Sequence, residues 1–363
     1  MTRRKDPPRR RHHTVSKFYL AGFADESSQI TQVHLPGHHT HLNSVANATV
    51  DTDFYSLRSE DGTLDDSMER AFGALESDAA NAIQLVGAGR RTLADNERAA
   101  LASWIALQYL RTPAFRKVQT QVAAQTHQMI VLMAGKDQLR KTIEEHEGRP
   151  ISDERLEWEW SDLTTGEGPT LEDDPVLHAT AIGETLPWLA EVVFRSQWMR
   201  VTFQRRKLVT CDHPVALVPP ADVPAFMGVG LATASAYLMP LNRRLGLIVR
   251  PHDYGSDIEI DGTTSLWALF TEMMLQNARK FVFHHPEDSI PSDLIIPRPR
   301  KAELTPLDTS LFEAKVQPGG ALSTADEQAS RKRIEELMNT GPAISGADLI
   351  WPIPGRISPQ PPT

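Results

Sequence analysis

Apolar positions along this chain change period about halfway. Met68, Phe72, Leu75, Ala79, Ile83 and Val86 recur every three or four residues, which predicts an amphipathic helix starting at Asp65 or Asp66. Asp66 and Glu69 have capping-box spacing, and Gly87 and Gly89 mark the end. A second helix is expected from about Thr92, carrying Leu101, Trp104, Ile105 and Leu107 until Pro113 stops it. Helical spacing also predicts a longer segment over 114–146 and another helix over 175–193.

From Gln197 the pattern shortens. Apolar runs at 198–203 and 208–210 bracket Gln204-Arg205-Arg206-Lys207, which predicts a hairpin with a basic turn. Strands are expected at 237–241, 245–250 and 281–283, with a helix over 265–278 before the last of them. Two short strands, 29–35 and 49–55, precede the helices. Between them His34, His38, His39 and His41 match no structural zinc spacing and read as an exposed polar loop.

Helices first and strands later predict an α+β fold, a mainly helical N-terminal part packed with a C-terminal antiparallel sheet. The expected organisation is a disordered basic arm (1–11), a main domain (12–297) and an extension (298–363) with one short helix at 324–338. A Pro-rich tail closes the chain. Acidic residues interrupted by Gly and Pro suggest a solvated insertion at about 144–174.

Charge and composition narrow the partners. The net charge is −9, yet the first eleven residues carry Arg3, Arg4, Lys5, Arg9, Arg10 and Arg11 against Asp6 alone. An acidic body argues against a broad nucleic-acid footprint, so contact with nucleic acid or an acidic protein falls to the arm. No run has the length of a membrane span, so no membrane partner is expected. The one cysteine, Cys211, excludes an internal disulfide framework, and the chain reads as cytoplasmic.

His12-His13-Thr14-Val15-Ser16-Lys17-Phe18-Tyr19-Leu20 resembles the opening motif of the domain-of-unknown-function family 4238. In that motif two histidines precede Tyr-Val-Pro and an aromatic-Tyr-Leu run. Asp53-Phe54-Tyr55-Ser56, Glu69 with Glu76, Gln108-Tyr109-Leu110-Arg111-Thr112-Pro113, Cys211-Asp212-His213-Pro214-Val215 and Gln276-Asn277-Ala278-Arg279 resemble its later landmarks, in order. Thr14 and Ser16 stand where the family has Tyr and Pro; Cys211 and His213 stand where it has Ser and Asn. The resemblance covers roughly residues 12–285 and implies a fold, with no reaction attached.

Chemistry therefore rests on the residues. Gln108 and Arg111 fall on the apolar arc of the second helix, and a buried arginine needs a partner. Glu69 and Glu76 share a helix face and supply candidates, with a capping box and a border position as the plainer readings. Asp212 ends a strand before Pro214, where it either reaches a cleft or closes an Asx-type turn. Asn277 lies on an apolar helix face and calls for an internal partner, whereas His284 and His285 are expected to be exposed. Of His12 and His13, which point to opposite sides of an extended segment, at most one faces inward.

Two functions follow. In the first, a metal-dependent hydrolase acts on phosphoester or nucleic-acid substrates: His13, Glu69, Glu76 and Asp212 hold a divalent metal, Mg²⁺ or Mn²⁺. Glu76, Arg111 and Asp212 are then the catalytic groups, with Arg111 positioning an anion. In the second, the chain is a non-catalytic binding or interaction protein whose buried polar network is structural.

Overall fold

The computed structural model describes residues 10–58, 64–65, 67–221, 228–251, 253–300, 350–353 and 355–357. Residues 1–9 of the arm, Asp66 and the expected helix at 324–338 lie outside them. The fold is α+β. Its contacts divide the chain into one unit of residues 1–116 and 175–302, and another of residues 117–174 and 303–363.

The elements, in chain order, are β1 (Arg11–His13), α1 (Lys17–Ala21), β2 (Gln29–His34), β3 (His39–Ser44), β4 (Val50–Thr52), β5 (Leu57–Arg58) and β6 (Leu64–Asp65). Then come α2 (Ser67–Gly87), α3 (Asp95–Leu110), α4 (Pro113–Ala134), α5 (Lys136–Glu147), α6 (Asp153–Thr164) and α7 (Pro175–Arg195). Last come β7 (Gln197–Thr202), β8 (Thr210–Cys211), β9 (Ala216–Val218), β10 (Ala236–Pro240), β11 (Leu245–Arg250), β12 (Ile258–Asp261), α8 (Thr264–Asn277) and β13 (Phe281–His284).

In the first unit α3 is the central helix, packed against α2 on one side and α7 on another. It is apolar around most of its circumference, burying Leu101, Trp104, Ile105, Leu107 and Leu110, as a helix enclosed by neighbours must. It starts at Asp95 rather than near Thr92. Glu97 turns back to accept from Ala94 N at 2.8 Å, which satisfies one exposed donor of the first turn.

Two larger sheets complete this unit. One has the order β12-β7-β11-β10-β9, antiparallel except for the parallel pair β12–β7. The other, β3-β2-β13-β8, is antiparallel throughout and joins N-terminal strands to late ones. The expected 198–210 hairpin does not form: β7 pairs with β11, while β8 crosses to β13 in the second sheet. The N-terminal part is mainly helical, with α1 to α7 all preceding β7, and it also supplies two strands, β2 and β3, to this sheet.

The second unit corrects the expected solvated insertion. Gly135, at φ +83°, divides the long helical segment into α4 and α5. The acidic stretch itself folds as α6, capped by Ser152, whose hydroxyl accepts from Arg155 N at 3.2 Å. Val131, Leu139, Ile143, Leu156, Leu163, Ile350 and Ile353 form its apolar core. Glu159 is fully buried there because Arg155 and Arg356 pair with its two oxygens, at 2.5 and 2.7 Å. Acidic composition suggested solvent; paired arginines explain the burial instead.

Candidate functional site

The first polar centre forms where the N-terminal segment crosses the end of α3. Strand β1 pairs with β4 in the register His12↔Asp51 and His13↔Val50, and Arg10 and Asp53 form an ion pair at 2.5 Å. Arg10 and Arg11 therefore belong to the fold rather than to a free arm; Arg11 also donates to Asn47 at 2.8 Å. His12 is the fully buried member of the pair, accepting from Tyr55 N at 2.7 Å through Nδ1. His13 is half-buried, and burial lowers its pKa below the ordinary imidazole value. Its Nδ1 lies 3.3 Å from the Ala48 carbonyl.

Trp104, Gln108 and Arg111 sit at four- and three-residue steps of α3 and share one face. Arg111 is 2 % exposed. Its Nη1 donates to Glu76 Oε1 at 2.5 Å, its Nη2 to the His13 carbonyl at 2.7 Å and its Nε to the Thr14 carbonyl at 3.1 Å. Ser16 donates through its hydroxyl to the same Glu76 oxygen at 2.8 Å and itself accepts from Trp104 Nε1 at 2.8 Å. Gln108 accepts from Ser16 N at 3.1 Å and donates to the Thr14 carbonyl at 3.0 Å. Tyr55 closes the far side, its hydroxyl donating to the Arg111 carbonyl at 2.5 Å.

Each guanidinium nitrogen of Arg111 thus has an acceptor, and both the oxygen and the nitrogen of the Gln108 amide are hydrogen-bonded. The centre pins residues 13–16 onto α2 and α3. Glu69, on the first turn of α2, acts on the Tyr55 hydroxyl through its charge. Burial dominates that hydroxyl and raises its pKa.

Asp212 lies in a different environment. It ends β8, and its carboxylate accepts from Arg279 N at 2.9 Å and Lys280 N at 2.8 Å. It therefore fastens the turn between α8 and β13 rather than closing a local Asx turn. Asn277 fastens the same corner, donating to the carbonyls of His213 and, at 3.0 Å, Val215. Cys211 is buried beside it, its thiol pKa raised by burial, which opposes a nucleophilic role. His284 and His285 are buried, contrary to expectation: β13 is an inner strand of its sheet, paired on both sides.

Among the described residues, the group of His, Cys, Asp or Glu whose ligand atoms converge is none of the expected four. It is His34, His39 and His41, with one ligand atom each lying within 4.8 Å of the others. The expected polar loop is a hairpin, β2 and β3 joined by a tight turn in which Gly37 takes φ +99°. Gly37 N donates to the His34 carbonyl at 2.6 Å. The register sets His34 opposite His39 and Gln32 opposite His41, so all three imidazoles stand on one face. Ring centroids are separated by 4.8, 5.2 and 5.1 Å. The Pro36-Gly37 turn signal between His34 and His39 was the clue in the sequence.

Comparison with known proteins gives one match. The sequence model of the family described as "Protein of unknown function (DUF4238)" covers residues 11–288. No curated protein matches the chain, and no solved structure does.

Proposed function

We propose that this chain, which belongs to the DUF4238 family, is a binding protein whose Glu76–Arg111 centre is structural rather than hydrolytic. The observation that supports this reading is the closure of that centre: each nitrogen of the Arg111 guanidinium has a protein acceptor. An arginine that positions a substrate anion needs donors directed at the anion, and a carboxylate that holds Mg²⁺ or Mn²⁺ needs oxygens directed at the ion. Glu76 Oε1 is instead committed to Arg111 and Ser16, and Asp212 is committed to two backbone amides. In this reading the basic arm recruits an acidic protein or nucleic acid, and the Pro-rich tail offers a second contact.

The test is a phosphodiester and nucleic-acid hydrolysis assay with Mg²⁺ or Mn²⁺, run on the full chain and on Glu76→Gln. The reading expects no metal-dependent turnover that separates the two proteins. Turnover present in the parent and lost in Glu76→Gln would restore the hydrolase.

A further inference from the structure

The His34 group differs from the Glu76–Arg111 centre in having imidazole nitrogens left over. His34 Nε2 and His41 Nδ1 are shielded from solvent and have no hydrogen-bond partner. A buried polar atom without a partner costs on the order of 1–3 kcal/mol, and native proteins tolerate few of them. Here two such atoms belong to imidazoles whose ring centroids are 5.2 Å apart, with the third ring within reach.

We infer that His34, His39 and His41 form a binding site for a divalent first-row transition cation, of which Zn²⁺ is the representative. Three imidazole nitrogens and no carboxylate suit zinc, cobalt, nickel or copper and do not suit Mg²⁺, Ca²⁺ or Mn²⁺, which prefer oxygen. A tetrahedral zinc with Zn–N bonds of about 2.0–2.1 Å needs its nitrogens roughly 3.4 Å apart. Separations inside 4.8 Å reach that value by small rotations of the rings, chiefly of His39, which is exposed.

The scaffold favours a preformed site. Strand β2 is paired on both sides, with β3 and with β13, so His34 stands on a doubly anchored strand. Phe281, opposite His34 in the register, packs against its ring at 4.8 Å in an edge-to-face arrangement. Three protein ligands leave a fourth position for water or a ligand, the arrangement of an open zinc site rather than a closed one. The site shares no residue with the Glu76–Arg111 centre, so the two readings fail separately.

Co²⁺ titration of the full chain, prepared free of metal, tests the inference through the visible d–d spectrum, with Zn²⁺ competition measured calorimetrically. The expected result is one equivalent bound with the intense bands of a four-coordinate site. His39→Ala, at an exposed position, folds normally and loses at least about tenfold in affinity, as does His41→Ala. His38→Ala, an exposed neighbour outside the group, binds as the parent does. Equal affinity in His39→Ala and the parent overturns the inference, as does a spectrum of weak octahedral bands or the absence of binding.

Discussion

At the end of α3, Arg111 has an acceptor for each guanidinium nitrogen; on the β2–β3 hairpin, His34 and His41 each hold a buried nitrogen with no partner. Both groups concentrate polar atoms against apolar packing, and both suggest chemistry on residue type alone. The difference lies in what remains unused. A network whose atoms are consumed by its own chain stabilises that chain, whereas spare lone pairs on adjacent imidazoles leave room for a ligand. Closure therefore tells more about function than charge or burial does.

Arg111→Met puts the largest strain on this comparison. It strips Glu76 of its cation and removes the guanidinium donor from the His13 carbonyl, while Thr14 keeps Gln108 as its donor, so urea unfolding should show a loss of about 3–5 kcal/mol. A neutral result would remove the distinction between the two regions. Asp212→Ala releases the amides of Arg279 and Lys280 and is expected to cost about 1.5–3 kcal/mol in the same measurement, with no metal required.

A pH series gives a smaller effect. Burial lowers the pKa of His13 and of His284, so the unfolded chain takes up protons first as the solution is acidified. Their contribution is complete above the unfolded value of about 6.5 and declines as pH falls below it towards the folded values. The melting temperature should fall from pH 7 to pH 5, and His284→Gln should flatten that slope. The smallest effect belongs to His39→Ala, whose side chain is exposed: metal-free stability should stay within about 0.5 kcal/mol of the parent. A large loss would make the histidine group a packing element and bring it nearer to Arg111 in kind.

The same contrast explains how much could be read from the sequence. Helices α2, α3, α7 and α8 were legible because their apolar residues keep a 3.6 period over several turns. The Arg111–Glu76 pair was legible as well: one polar residue on a buried arc creates a demand, and the neighbouring helix held the supply. Strand β3 was not, since His-Thr-His-Leu-Asn-Ser exposes its polar residues and offers no alternation to detect. The histidine group was hidden with it, because residues 34, 39 and 41 become neighbours only through the register of that hairpin. Helix α6 was obscured by acidic residues, of which Glu159 is neutralised by Arg155 one turn earlier and by Arg356, distant in sequence. The role of Asp212 was read as a cleft residue or a local Asx-type turn because its amide partners lie 67 and 68 residues away.

The central claim is that Glu76 holds the N-terminal segment in place and does not serve a reaction. Urea unfolding of Glu76→Ala against the parent tests it most directly, since groups that serve function at the expense of stability leave the protein as stable or more so when removed. A structural Glu76 predicts a loss of about 2–4 kcal/mol, because Arg111 is left buried without its carboxylate while the half-exposed border of the pair tempers the cost. Stability that is unchanged or increased in Glu76→Ala would contradict it.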